Sequence, residues 1–243
     1  IQTEGSVQGF FRYVRAGATV KNLKLEGNIA PTGSRSSVGS LAGENAGSII
    51  NCSFSGSVSG TDRVGGLVGY NQLTGVIEAC STSGQIQGDH FIGGLAGENN
   101  GVIRQCENMA KINTTVQENT VELSDISLDS LLESESAVTV TDVGGIAGSN
   151  TLTGIIESCE VQGTVAGSVG YPKIGYNIGG IAGSQSGYIV DCINRGEIMG
   201  RKEVGGIVGQ MEPVMRMEFD EDTLQKLQTE MDTMMGLTGK TMA

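Results

Sequence analysis

The sequence has no tryptophan, one histidine and 3 prolines among its 243 residues. Aromatic residues make up 4 % of the chain, which excludes a globular core built mainly on rings. Lys and Arg number 15 against 27 Asp and Glu; the net charge of −12 argues against nucleic-acid binding, because phosphates require a basic face. No run of 18 apolar residues occurs, so no direct membrane insertion is expected.

Glycine is abundant, at 39 residues, and it recurs at fixed places. A phrase of the type Val-Gly-Gly-Leu-x-Gly occurs six times, and the first five copies are each followed by Gly-x-Ile-x-x-Cys. The six copies begin at Val38, Val64, Ile92, Val143, Ile178 and Val204. Self-similarity at a fixed period predicts a solenoid, in which each repeat packs only on its neighbours.

The spacing of the cysteines gives the length of the repeat. They lie at positions 52, 80, 106, 159 and 192, so the steps are 28, 26, 53 and 33 residues. The basic coil therefore has about 26–28 residues, and the longest step contains an insertion at about residues 113–138. A weaker upstream copy places Leu23 at the cysteine position, and the copy at Val204 has no second half. The repeats thus predict a solenoid over residues 1–210.

Each repeat contains short apolar stretches separated by glycine, which indicates strands joined by bends. A helix is disfavoured, because each interior glycine costs a helix about 1 kcal/mol. The Ile-to-Cys step of three residues requires a bend between the two if both are to point inward. We therefore predict an all-β, right-handed parallel β-helix with three strands per coil. The predicted ladders are Leu41/Leu67/Leu95/Ile146/Ile181/Ile207, Ile49/Ile77/Ile103/Ile156/Ile189 and Asn45/Asn71/Asn99/Asn150/Gln185.

These phrases resemble the GLUG repeat (glycine, leucine, any residue, glycine), over roughly residues 17–210. GLUG repeats occur in large bacterial surface proteins, including regions of IgA-cleaving metallopeptidases. The resemblance implies a secreted or wall-attached protein with a β-helical stalk or adhesive region. It implies no activity for this part of the chain, because the zinc chemistry of those peptidases needs more than the single histidine, His90. We expect His90 to be an exposed bend residue.

Five regularly spaced cysteines suggest a metal site or disulfides as alternatives to core packing. No pair has Cys-x-x-Cys spacing, and Leu23 replaces the cysteine in the first copy, which favours a buried ladder of free thiols. The carboxylates are also repetitive: Glu44 and Glu98 share one repeat position, and Glu78 and Glu157 another. Equivalent residues of a solenoid face the same way, whereas a catalytic pair faces across a cleft. We therefore predict no catalytic, cofactor-binding or metal-binding residues.

Two insertions provide the candidate ligand contacts. The stretch from Asn113 to Asp142 is acidic, without Lys or Arg, and includes Asp125 and Asp129. The shorter insertion, residues 168–177, carries Tyr171 and Tyr176. Insertions in a solenoid form loops on one face, and this face is often the binding face. The alternative is that both are solvated loops without a ligand.

The composition changes at Met211. Asp220 is a plausible N-cap, and Leu224, Leu227, Met231 and Met234 follow at heptad-like spacing. We predict a C-terminal α-helix within residues 211–243, which either caps the open last coil or begins a coiled coil.

The expected function is a non-enzymatic structural or adhesion module of a secreted or cell-surface bacterial protein. It would present loops and neighbouring domains on a rigid rod, with a host or neighbouring-cell protein or glycan as partner. The alternative is a carbohydrate-active enzyme, or its glycan-binding region, built on a β-helix. A groove in which acidic and aromatic side chains converge would favour the alternative.

Overall fold

The computed structural model describes residues 4–32, 35–114, 140–167 and 175–211, and all structural statements below concern these residues. Within them the chain forms a parallel β-solenoid of about six turns and contains no helix. This confirms the predicted all-β solenoid. None of the described residues form a helix long and apolar enough to cross a membrane.

Four parallel sheets run the length of the solenoid, each formed by equivalent strands of successive coils. Sheet 1 contains Val7–Gln8, Ser37–Gly39, Asp62–Gly65, His90–Gly93, Thr141–Gly144, Tyr176–Gly179 and Lys202–Gly205. Sheet 2 contains Phe11–Val14, Ala42–Asn45, Val68–Asn71, Ala96–Asn99, Ala147–Asn150, Ala182–Gln185 and Val208–Met211.

Sheet 3 contains Thr19–Lys21, Ser48–Ile50, Val76–Glu78, Val102–Arg104, Ile155–Glu157 and Tyr188–Val190. Sheet 4 begins with three long strands, Lys24–Ile29, Ser53–Ser59 and Ser81–Gln87. In later coils each long strand is replaced by two short ones: Glu107–Asn108, Lys111–Ile112, Glu160–Val161, Val165–Ala166, Ile193–Asn194 and Ile198–Met199.

The predicted number of three strands per coil is wrong, because the Gly-Gly-Leu phrase is not one strand. It holds the corner between sheets 1 and 2. In the fourth coil, one strand ends at Gly93 and the next begins at Ala96, so the chain turns at Gly94 and Leu95. A Cβ atom on Gly94 would collide with the carbonyl oxygen of Gly145 in the next coil and with the side chain of Asn108. The second glycine is therefore required by the close approach of neighbouring backbones at this corner.

The predicted ladders are confirmed. The amide of Leu41 donates to the carbonyl of Leu67, and the same bond recurs from Leu67 to Leu95 and onward along the solenoid. In sheet 3, Ile77 is in register with Ile49 on one side and Ile103 on the other. The interior rungs are fully buried, while Ile207 in the last coil is 42 % exposed. The core is thus a set of stacked aliphatic side chains that becomes open at the last rung.

The bend between the isoleucine and the cysteine is also confirmed. The residue before each cysteine, or before Leu23, has a positive φ of 50° to 57° in every coil: Asn22, Asn51, Ala79, Gln105, Ser158 and Asp191. A single left-handed residue reverses the side-chain alternation, so that the isoleucine and the cysteine both point into the core. A second set of left-handed residues precedes the aliphatic of sheet 1: Arg63, Phe91, Asp142, Asn177 and Glu203.

The predicted boundaries shift slightly where the structure describes them. Met211 is the last residue of a sheet 2 strand and is in register with Gln185, so it belongs to the solenoid rather than to the predicted helix. Asn113 also belongs to its coil, because its side chain donates to the carbonyl of Gly88 and accepts from the amide of the same residue. The remainder of the predicted helix, and residues 115–139 of the insertion, lie outside the described residues.

Candidate functional site

Sheet 2 presents a row of chemically distinctive side chains to solvent. In its strands the third residue points outward and the fourth points into the core, and residues at the same place stack in register. The outward row reads Tyr13, Glu44, Tyr70, Glu98, Ser149, Ser184 and Gln210. We call its first four members the Tyr–Glu row. Tyrosine and glutamate therefore alternate along the N-terminal half of this face.

The asparagine ladder, which consists of Asn45, Asn71, Asn99, Asn150 and Gln185, lies directly beneath this face and is buried along its whole length. Asn45 Nδ2 donates to Asn71 Oδ1 at 2.8 Å, and Asn71 and Asn99 each repeat the bond to the next asparagine at 2.8 Å. The ladder ends where Asn150 Nδ2 donates to Gln185 Oε1 at 2.9 Å. This confirms the predicted polar ladder and fixes the end of each sheet 2 strand.

Arg63 connects two members of the Tyr–Glu row. Its guanidinium carbon lies 5.4 Å from the ring centroid of Tyr70, and its Nη1 lies 3.8 Å from Glu98 Oε2. Asn100, which directly follows the strand Ala96–Asn99, donates from its Nδ2 to the Tyr70 hydroxyl at 2.8 Å. Partial burial raises the pKa of the Glu98 carboxyl, and the nearby Arg63 opposes that rise. Burial also raises the pKa of Tyr70, and the charge of Glu98 adds to this effect.

A groove of about 320 Å³ opens at the N-terminal end of the same face. Tyr13 and Glu44 contribute from the row, and Gln72 Nε2 donates to Glu44 Oε2 at 2.7 Å. The full lining is Tyr13, Val14, Arg15, Ala16, Glu44, Ala46, Gln72 and Thr74. We call this cavity the Tyr13 groove. It combines an aromatic ring, a guanidinium, a carboxylate, an amide and a hydroxyl within one small space.

The five cysteines form a stacked ladder of free thiols at the corner between sheets 3 and 4, as predicted. Cys52, Cys80, Cys106 and Cys159 are buried, and Cys192 is half-buried in the last complete coil. Each thiol donates to the carbonyl oxygen two residues earlier, for example Cys80 Sγ to Glu78 at 3.2 Å. Because four of the five thiols are buried and all five donate to backbone carbonyls, the ladder has the surroundings of packing residues.

Of the four predicted ligand-contact residues, Tyr176 alone lies in the described part of the structure. Tyr171, Asp125 and Asp129 lie outside the described residues. Tyr176 is the first residue of a sheet 1 strand instead of a loop residue, and the ammonium of Lys202 lies 5.7 Å from its ring centroid. His90 is likewise a half-buried strand residue rather than an exposed bend, and its Nδ1 lies 3.0 Å from the Thr141 hydroxyl. The left-handed bend is at Phe91.

The sequence interpretation missed Tyr13 and Arg15. Their strand lacks the Gly-Gly-Leu phrase and has Val14 where later coils have asparagine, so the repeat pattern does not align it with the other coils. The repeat pattern does show that Glu44 and Glu98 share a position, but from the sequence this argues only against a catalytic pair. Across the described ranges, no group of three or more His, Cys, Asp or Glu side chains is arranged to hold a metal ion.

Comparison with known protein families finds the GLUG motif twice, at residues 34–59 and at residues 60–87. These segments span two successive coils, from sheet 1 of one coil to sheet 4 of the same coil. Comparisons with curated proteins and with solved structures find no match. The two matched coils carry the same phrases and the same ladder positions as their neighbours. Residues 34–87 of the chain are therefore similar to two successive GLUG repeats.

Proposed function

We propose that the chain is a non-enzymatic structural or adhesion module of a secreted or cell-surface bacterial protein. Its role is to hold loops and neighbouring domains on a stiff repeat scaffold. One observation carries the proposal: the residues that define the repeat are used for stacking. The motif leucines, isoleucines and asparagines of the interior coils are buried, and each contacts its own equivalents in the adjacent coils. A scaffold of this kind leaves the solvent faces free to vary.

The expected partners are a host or neighbouring-cell protein or a glycan. The net charge of −12 argues against nucleic acid, as above. The two insertions, with Asp125, Asp129 and Tyr171, remain candidate contact loops alongside the solvent face of sheet 2.

The location and the role can be tested separately on the organism that produces the chain. Antibodies against the chain should label intact cells, and mild protease treatment of intact cells should remove the label. Labelling that requires cell lysis would contradict the surface location. The purified chain should then be screened against host-matrix proteins and a glycan array, and no retention on either would contradict an adhesive role.

A second candidate function is a carbohydrate-active enzyme or its glycan-binding region. The Tyr–Glu row favours it, because aromatic and acidic side chains do converge on one face. Glu44 and Glu98 lie two rungs apart, which is about 10 Å at the usual strand spacing. The two carboxylates lie on the same face of sheet 2 and do not face each other across a cleft, so the row is better suited to binding a glycan than to cleaving it.

If the purified chain releases reducing or unsaturated ends from polysaccharides, this would support the carbohydrate-active enzyme. The loss of that release in Glu98→Gln would assign it to this face. Glycan binding without release of any product would support the non-enzymatic proposal.

A further inference from the structure

The Tyr13 groove contains the guanidinium of Arg15. Arg63, Arg104 and Arg195 each lie within 4.0 Å of a glutamate carboxylate. Among the described residues no carboxylate lies that close to Arg15, which is exposed and contacts the ring of Tyr13 at 5.0 Å from the centroid. A guanidinium offers several donors in a fixed plane, and it binds a carboxylate through two parallel hydrogen bonds. Arg15 is therefore positioned to bind an anion that enters the groove.

The groove lining also contains an acceptor. Glu44 lies on the strand next to that of Tyr13, and its carboxylate receives one hydrogen bond from Gln72 at 2.7 Å. Thr74 Oγ1 donates to the carbonyl of Ala46 at 2.8 Å, and this bond ties the two loops of the groove together. An ionised carboxylate accepts from hydroxyl groups but repels a second anion. A ligand that uses both side chains therefore carries a negative group for Arg15 and hydroxyl donors for Glu44.

Tyr13 supplies the third feature, an aromatic ring that is 43 % exposed at the side of the groove. Such rings bind partners that have an apolar face and a polar edge. The groove volume of about 320 Å³ lies at the lower end of the range for small-molecule sites, which suits one or two sugar rings. Among common biological ligands, a carboxylated sugar combines the anion, the hydroxyls and the apolar ring face in one unit of this size.

We propose that the Tyr13 groove binds a carboxylated sugar, of the uronic or sialic acid class, within a larger glycan. The sugar carboxylate pairs with Arg15, its hydroxyls donate to Glu44, and its apolar face packs against Tyr13. The inference rests on the proposed adhesive role, because it names the partner class of that role. It makes a narrower claim, however, since adhesion through other loops does not require the groove.

The test uses the full chain and two matched probes, methyl galacturonide and methyl galactoside, which differ only in the carboxyl group. A sialic acid glycoside and its carboxyl-reduced form make a second pair, which distinguishes the two sugar classes. Titration calorimetry should detect the carboxylated member of at least one pair with at least about tenfold greater affinity than its neutral partner, because hydrogen bonds between charged groups are stronger than those between neutral groups. The affinity should fall as ionic strength rises.

Three variants assign the binding to the groove. Arg15→Gln should remove the preference for the carboxylated probe, whereas Arg15→Lys should retain part of it because the charge remains. Tyr13→Leu should weaken both members of a pair. Arg195→Gln, whose arginine lies in the last complete coil beside Glu160, is the control and should bind like the parent chain. All variants should keep the parent melting temperature, since these side chains are exposed.

Equal affinity for the charged and neutral probes would overturn the proposal, as would binding that is unchanged in Arg15→Gln. No binding of either pair would also overturn it. In that case surface labelling of cells and retention on host-matrix proteins would still decide the proposed function, so the two failures can be told apart.

Discussion

Replacing Asn99 with alanine should destabilise the solenoid more than any surface amide substitution. Asn99 lies at the middle of the asparagine ladder and is fully buried. Its Oδ1 accepts from Asn71 at 2.8 Å, and its Nδ2 donates to Asn150 at 2.8 Å. The same Nδ2 also reaches the carbonyl of Gly101 at 3.2 Å. One substitution therefore removes a bond from each neighbouring coil and from the local turn.

The magnitude follows from the partners that are left behind. The side-chain carbonyl of Asn150 is buried and loses its bond to Asn99, whereas Asn71 Nδ2 keeps its second bond, to the carbonyl of Gly75 at 3.2 Å. A buried polar group without a partner costs about 1–3 kcal/mol, so the free energy of unfolding should fall by about 1–3 kcal/mol. Gln162→Ala is the matched control: Gln162 is exposed and bonds Glu107 at 2.6 Å, and its loss should cost less than about 0.5 kcal/mol.

Urea unfolding followed by circular dichroism gives both values. A double variant sharpens the test. Asn71→Leu combined with Asn99→Leu removes both partners of one bond, so its cost should be smaller than the sum of the two single variants. If Asn99→Ala costs no more than Gln162→Ala, or if the double variant is additive, the ladder does not stabilise the stack in the way described.

Three further outcomes are expected. Ala79→Gly should raise the melting temperature, because Ala79 has a φ of 53° and glycine relieves this left-handed backbone strain, which costs about 1 kcal/mol. The control is Ala18→Gly, at an exposed alanine without a positive φ, and it should not raise the melting temperature. A thiol reagent should label only Cys192 before unfolding, and rapid labelling of all five cysteines would contradict the buried ladder. The pKa of Glu98 is raised, so its carboxyl binds a proton more tightly in the folded state than in the unfolded state. Protonated Glu98 therefore contributes to stability below its ordinary pKa of 4.5, and this contribution is lost as the pH rises through the raised pKa. Glu98→Gln should therefore stabilise the chain more at about pH 7 than at about pH 5, and an equal effect at both would contradict that sign.

The stacking register was predictable because solenoid coils place equivalent residues in contact. The spacing of Cys52, Cys80 and Cys106 measures the coil, and the leucine and asparagine ladders follow by counting. The number of sheets was not predictable in the same way. Strands of three or four residues are separated by only two corner residues, such as Gly94 and Leu95, so hydropathy does not reveal the turn.

The candidate site was harder to predict for a different reason. Tyr13 and Arg15 belong to a coil that lacks the repeat phrases, and only strand pairing places Tyr13 beside Glu44. The insertions can be recognised in the sequence because they interrupt the repeat, whereas the Tyr–Glu row lies within the repeat at a position where the residue type varies. Periodicity identifies the residues that pack in the core, and it carries little information about a solvent-exposed face.

This separation between core and face also locates where a ligand would contact the scaffold. The inward positions repeat because every coil must match its neighbours, while the outward position of sheet 2 changes from tyrosine and glutamate to Ser149 and Ser184. A serine provides one hydroxyl and little surface, whereas tyrosine and glutamate provide a ring and a charge. Both Arg63 and the Tyr13 groove lie on the tyrosine and glutamate side of this change. Recognition by sheet 2 is therefore expected at its N-terminal half, and the serine half would serve to extend the scaffold.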